Sequence, residues 1–103
     1  MTSKKGLGIN ELLQEQRSQI LAIAEKHGAY NVRLFGSVAR GEATEESDID
    51  FLVDYDLGKI TPWFPAGLLI DLEQLLNRKV DIATVDMLKE RIRERVCREA
   101  VLL

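Results

Sequence analysis

The chain has 103 residues, one domain's worth, with 46% hydrophobic and 30% charged side chains and a formal net charge of −3. That balance argues against a broad basic grip on nucleic acid, and no apolar run approaches the roughly 20 residues of a membrane span. A single cysteine, Cys97, excludes an internal disulfide and fits a cytoplasmic protein; it is expected to serve as a small packing residue.

The opening residues 1–8 carry two lysines but no apolar stretch behind them, so they are expected to form a flexible tail, not a secretory signal. From Ile9 to Lys26 the apolar side chains Ile9, Leu12, Leu13, Ile20, Ile23 and Ala24 recur at helical spacing. One helix is predicted there, with Asn10 as N-cap and Gly28 as the C-terminal stop. His27, near its end, is expected at the surface. Residues 31–35 read as a short strand, ended by Gly36-Ser37, with a helical turn from Val38 to Gly41 and an acidic loop to Ser47.

Residues 48–54 form the second predicted strand, in which Ile49, Phe51 and Val53 alternate with Asp48, Asp50 and Leu52. Gly58 breaks it. Thr61 is a candidate cap for a helix with Pro62 in its first position, with Pro65 a possible reason for a later start. Leu68, Leu69, Leu72, Leu75 and Leu76 supply that helix's apolar stripe. Trp63-Phe64 reads either as a plug for the end of the core or as an anchor for a partner. Lys79 to Thr84 is the third strand, and Val85-Asp86 opens a last helix through Met87, Ile92 and Val96. Its arginines read as a solvated face, or as a partner surface. Residues 100–103 fit either an edge strand or the end of that helix.

This order predicts an α/β fold with a small mixed sheet packed with helices. The link between the first two strands is too short for a crossover helix, so they should run antiparallel. The next link holds a full helix and permits a parallel pair. The whole chain, 1–103, is expected to be a single domain.

Residues two apart in a strand share a face, so Asp48 and Asp50 should point the same way with Cα atoms roughly 6.6 Å apart. Such a pair of carboxylates is costly unless a cation joins it, and hard oxygen ligands suit magnesium. Gly36 lets the backbone approach a ligand, and the Ser37 hydroxyl with the amides that follow offers an anion site. If the third strand lies beside the second, Asp81 completes a three-carboxylate cluster of the kind that holds two metal ions. Arg40 is a candidate phosphate contact, or a surface arginine opposite Glu42, Glu45 or Glu46.

The runs Leu34-Phe-Gly-Ser-Val-Ala-Arg-Gly41, Ser47-Asp-Ile-Asp-Phe-Leu-Val53 and Arg78-Lys-Val-Asp-Ile82 resemble the minimal nucleotidyltransferase group of the DNA polymerase beta-like superfamily, over roughly residues 9–99. The likeness is strongest to stand-alone antitoxins paired with HEPN-domain toxins. It implies the polymerase beta-like nucleotidyltransferase fold. It further implies magnesium, as two ions, on Asp48, Asp50 and Asp81, and a triphosphate held by Gly36 and Ser37. The implied function is transfer of AMP from ATP to a hydroxyl, a tyrosine being favoured, of a HEPN toxin in a hetero-oligomer. Two alternatives stand beside it: an antitoxin that acts by binding alone, and a small-molecule transferase of the aminoglycoside type. Nucleic acid is not expected as the acceptor.

Overall fold

The structure, a computed structural model, describes residues 3–103, with side-chain surroundings given from residue 9 onward. Helix α1 (Ser3–Glu15) and helix α2 (Arg17–Lys26) replace the single predicted helix. They meet at Gln16, whose φ of −98° and ψ of 8° loosen one residue. The ladder still crosses the joint, since Gln16 N–H donates to Leu12 and Ile20 N–H to Gln16. The pair is therefore one bent rod. Asn10 lies inside α1, not at its cap. Of the tail expected over residues 1–8, residues 1–2 lie outside the described residues and the rest belong to α1. Gly28, at φ +80°, ends α2 as expected.

Strand β1 (Ala29–Phe35) follows, then the single-turn helix α3 (Gly36–Ala39), which starts two residues before the predicted turn. Strand β2 (Ile49–Tyr55) runs antiparallel to β1, and β3 (Val80–Ala83) runs parallel to β2, both as expected. Helix α4 (Ala66–Leu76) makes the crossover. It begins after Pro65, not at Pro62, because a residue preceding proline, here Phe64, is driven out of the helical region. A 3₁₀ turn (Val85–Met87) precedes α5 (Glu90–Glu99), so the last helix starts later than predicted. The final residues resolve as an edge strand, β4 (Val101–Leu102), antiparallel to β1. The sheet order is β3-β2-β1-β4.

The alternation in β2 sorts side chains onto two unequal faces. Ile49, Phe51 and Val53 join Leu13, Ile20, Ala24, Leu68 and Leu72 in the main core beneath α1, α2 and α4. On the other face Leu52 is fully buried with Ala83 and Val96, packed by Phe35, Ile92 and Ala100. That smaller core exists because α5 covers this end of the sheet. Asp50 shares the face of Leu52, two residues nearer the strand's start.

Two side-chain expectations are corrected. Cys97 is exposed on α5, so it packs nothing. His27 is half-buried and lies 2.7 Å from the Asp71 carboxylate of α4, tying α2 to α4. The Trp63-Phe64 pair divides: Phe64 packs on the core and tilts against Tyr55 at 5.4 Å, while Trp63 is 77% exposed.

Leu72 is 1% exposed in the main core and far from the carboxylates. Leu72→Ala should lower unfolding free energy by about 2–5 kcal/mol through lost burial and a residual cavity. Denaturant titration checks this; a change under 1 kcal/mol would show that the helix face is loosely packed.

Candidate active site

The site is assembled by strand register. In the parallel β2–β3 pair Asp50 stands opposite Asp81, and in the antiparallel β1–β2 pair Asp50 stands opposite Phe35. Adjacent strands lie about 4.8 Å apart, so the Asp50 and Asp81 side chains emerge side by side. Asp48 sits one residue before β2 begins, and it too is exposed, like Asp81. Asp50 is half-buried.

Because Phe35 faces Asp50, the chain turns at Gly36 directly beside that carboxylate. Gly36 has φ +72°, and a Cβ built on it would overlap the Asp50 Oδ2 atom and lie 3.2 Å from its Cγ. Both facts require glycine. The turn continues into α3, anchored by buried Val38, with Ser37 half-buried at its first positions. Glu42 N–H closes the turn onto the Ser37 carbonyl at 2.8 Å.

Asp50 titrates unusually. Its pKa is pushed up to about 6, first by burial, then by the charges of Asp81 and Asp48, against a smaller opposing pull from Arg40. Asp50 forms no ion pair among the described residues, so Arg40 offsets the acidic charge only from a distance and only in part. Hard carboxylate oxygens gathered with excess negative charge are a donor set that fits magnesium. Among the described residues, however, no three acidic, histidine or cysteine side chains already stand as a closed ligand group. The backbone brings the three aspartates together, and their mutual repulsion opposes a closed arrangement without a cation.

Arg40 is held away from a free role. Its Nε donates to Glu42 at 3.0 Å and its Nη1 to Glu99 at 3.3 Å, so the surface pairing foreseen with Glu42 is present and Glu99 of α5 is added to it. Its guanidinium pKa is raised, chiefly by the Glu42 hydrogen bond. Glu99 had no signal in the sequence, being 59 positions away. The same holds for Arg78, whose guanidinium reaches the carbonyls of the loop before Asp48.

The matched family and the relatives place the chain in one class of protein, enzymes that transfer nucleotides. The chain belongs to the nucleotidyltransferase domain family, whose profile matches residues 17–103. A protein of Methanocaldococcus jannaschii, provisionally named a protein adenylyltransferase, is 36% identical over 92% of this chain and 97% of its own. Protein adenylyltransferase MntA of Thermococcus cleftensis is 38% identical over 77% of this chain and 79% of its own. Among solved structures, one provisionally described as a minimal nucleotidyltransferase superposes with a TM-score of 0.80 at 47% identity, covering 90% of this chain and 94% of that one. Another, described as a toxin–antitoxin with AMP-PNP, shares the fold at a TM-score of 0.68 and 20% identity, over 82% and 69% of the two chains.

The folded chain holds the Asp50 proton more tightly than the unfolded chain does. Its charged form therefore costs stability above about pH 6, and the cost is relieved as the pH falls through 6 toward the ordinary carboxylate range. After allowance for solvent screening, that cost is on the order of 1 kcal/mol. Metal-free Asp50→Asn should accordingly melt about 4–8 °C above wild type at pH 7.5, with the gap clearly narrower at about pH 5 and closing only in the ordinary carboxylate range. Thermal melts in chelator at both pH values test it; a variant that melts below wild type at pH 7.5 would make Asp50 a structural residue.

Proposed function

We propose that the chain transfers AMP from ATP to a hydroxyl of a partner protein, with magnesium held by Asp48, Asp50 and Asp81. The observation that carries this reading is the register that sets Asp50 against Asp81 beneath the Gly36 turn. When bound, magnesium neutralises charge on the triphosphate and favours ionisation of the attacking hydroxyl.

The chain's own residues divide the remaining work. Gly36 leaves room for phosphate to approach the backbone, and the Ser37 hydroxyl with the following amides supplies donors to it. Arg40 serves as a phosphate cation only by leaving one of its two glutamate partners. In the transfer, the acceptor oxygen bonds to the α-phosphorus, the α–β anhydride bond breaks, and pyrophosphate departs. The hydroxyl proton passes to a carboxylate within reach. Asp81 is the candidate acceptor, because it is exposed while Asp50 is tucked against Gly36.

A protein acceptor is supported by the relatives named protein adenylyltransferases at 36–38% identity. The acidic stretch from Glu42 to Asp50 argues in the same direction, since a nucleic-acid acceptor needs a basic track. Exposed Trp63 and the arginines of α5 are candidate docking contacts. Resemblance narrows the acceptor to a tyrosine on a HEPN-type toxin and the role to that of an antitoxin in the cytoplasm.

The deciding experiment incubates the chain with ATP, magnesium and the protein encoded beside it, followed by mass spectrometry of both chains. A gain of one or more adenylyl units on the neighbour, absent with Asp48→Asn, is the expected result. Labelling of an RNA or an aminoglycoside with no protein labelled would overturn the reading. Neutralisation of the neighbour with no label would leave binding alone as the function.

Gly36→Val tests the phosphate cradle separately. The added side chain meets both a positive φ and the Asp50 carboxylate. The apparent KM for ATP should rise at least about 10-fold, with the KM for the acceptor unchanged. A change confined to the acceptor would reject the cradle.

A further inference from the structure

Asp48 differs from its two companions in how it is held. Asp50 and Asp81 lie within ladders, where register fixes them. Asp48 precedes the ladder, at the end of a loop of exposed and half-buried residues running from Glu42 to Ser47. That loop has a small internal scaffold. Thr44 N–H donates to the Ser47 hydroxyl at 2.9 Å, Ser47 N–H returns to the Thr44 carbonyl at 3.1 Å, and Glu46 N–H donates to the Thr44 hydroxyl at 3.2 Å.

What ties this scaffold to the body of the domain is the dipeptide Arg78-Lys79, which links α4 to β3. The Arg78 Nη2 donates to the carbonyls of Thr44 at 3.0 Å, of Ser47 at 3.3 Å, and of Glu45 between them. Lys79 contributes its backbone: its carbonyl accepts the N–H of Ile49 at 3.0 Å. Both peptide neighbours of Asp48 are thus bonded to the same two residues, one on each side. Arg78 is itself placed by the turn at Asn77, whose φ of 54° ends α4, and by Glu73, whose carboxylate accepts Val80 N–H at 3.0 Å. The three carbonyls converge on one terminal nitrogen of the guanidinium, so a cationic donor at that point is what the loop requires. An ammonium replaces it only in part, because its shorter reach and different geometry do not reproduce the same position.

We propose that Arg78 is the positioning residue for Asp48: by gripping the carbonyls of residues 44–47 it holds the Asp48 carboxylate in line with Asp50 and Asp81. The proposal rests on the reading of the three aspartates as a metal–nucleotide site. Arg78 touches no reacting atom in this scheme. It sets where the third carboxylate stands, and so how well the cluster accepts a cation.

The test measures binding and backbone protection, neither of which needs turnover. Manganese-dependent binding of a non-hydrolysable ATP analogue is titrated for wild type, Arg78→Gln, Arg78→Lys, Asp48→Asn and the Arg78→Gln/Asp48→Asn double variant. Leu72→Ala serves as a control for lost stability without a changed site. Hydrogen exchange of the amides at Thr44, Glu46, Ser47 and Ile49 is followed in the metal-free proteins.

Arg78→Gln should weaken metal-dependent binding by roughly 10-fold, and Arg78→Lys by less, as expected for the partner of a ligand and not the ligand itself. The double variant should bind no worse than Asp48→Asn alone, because the arginine acts through that carboxylate. The four amides should exchange faster in Arg78→Gln and at the wild-type rate in Leu72→Ala. Equal binding by wild type and Arg78→Gln, or additive losses in the double variant, would overturn the positioning role while leaving the site intact. A wild-type chain without metal-dependent binding would overturn the underlying reading and this role with it.

Discussion

Everything in this domain turns on two carboxylates standing opposite each other on neighbouring parallel strands. Asp50 and Asp81 face one another because Ile49 pairs with Val80 and Phe51 with Ile82. Strand side chains alternate with a period of two, so a slip of β2 by one residue would send Asp50 toward the main core and pull Phe51 out of it, and a slip of β3 would do the same to Asp81 and Ile82. The burial of Ile49, Phe51, Val80 and Ile82 therefore fixes the acidic pair as firmly as it fixes the core. Placement of the site is a by-product of packing on the opposite face.

That arrangement has a cost and a supporting structure. Half-burial and two like-charged neighbours push Asp50 to a pKa of about 6, so at neutral pH the fold carries an unfavourable charge. The two cores on either side of β2 carry the stability that tolerates it. One lies under α1, α2 and α4; the other, smaller, sits where Val96 of α5 packs with Leu52 and Ala83. Because α5 spans only part of that second face, the starts of β2 and β3 keep Asp48 and Asp81 exposed. A longer cover would have buried the chemistry.

Loops complete what the strands begin. Gly36 turns the chain tightly against Asp50, where any side chain would strain the positive φ and displace the Asp50 carboxylate. Arg40 bridges that turn to α5 through Glu42 and Glu99. Arg78 and Lys79, just before the neighbouring strand β3, bond the peptides on both sides of Asp48. The end of the domain that carries the proposed site is thus bonded to α5 and to the α4–β3 corner, not only to the strands that bear Asp50 and Asp81.

Local sequence was sufficient for much of this protein. The alternation over residues 49–53, the helical spacing of the leucines in α4, and the short link after Gly36 determine strand, helix and antiparallel pairing, because each depends on neighbours within a few residues. The aspartates and the glycine–serine turn were legible for the same reason, as was their likeness to the nucleotidyltransferase family. Other features were not written locally. The break at Gln16 within a continuous apolar pattern and the exposure of Cys97 depend on how the helices meet the sheet. The edge pairing of Val101–Leu102 exists only because β1 has a free side. Glu99, the second partner of Arg40, lies 59 positions away, the carbonyl partners of Arg78 lie 31–34 positions away, and His27 finds Asp71 only across a helix pair. Sequence periodicity reports which face of an element is buried; it carries no record of which distant backbone carbonyl or carboxylate a long side chain will reach. That was decided when the elements packed.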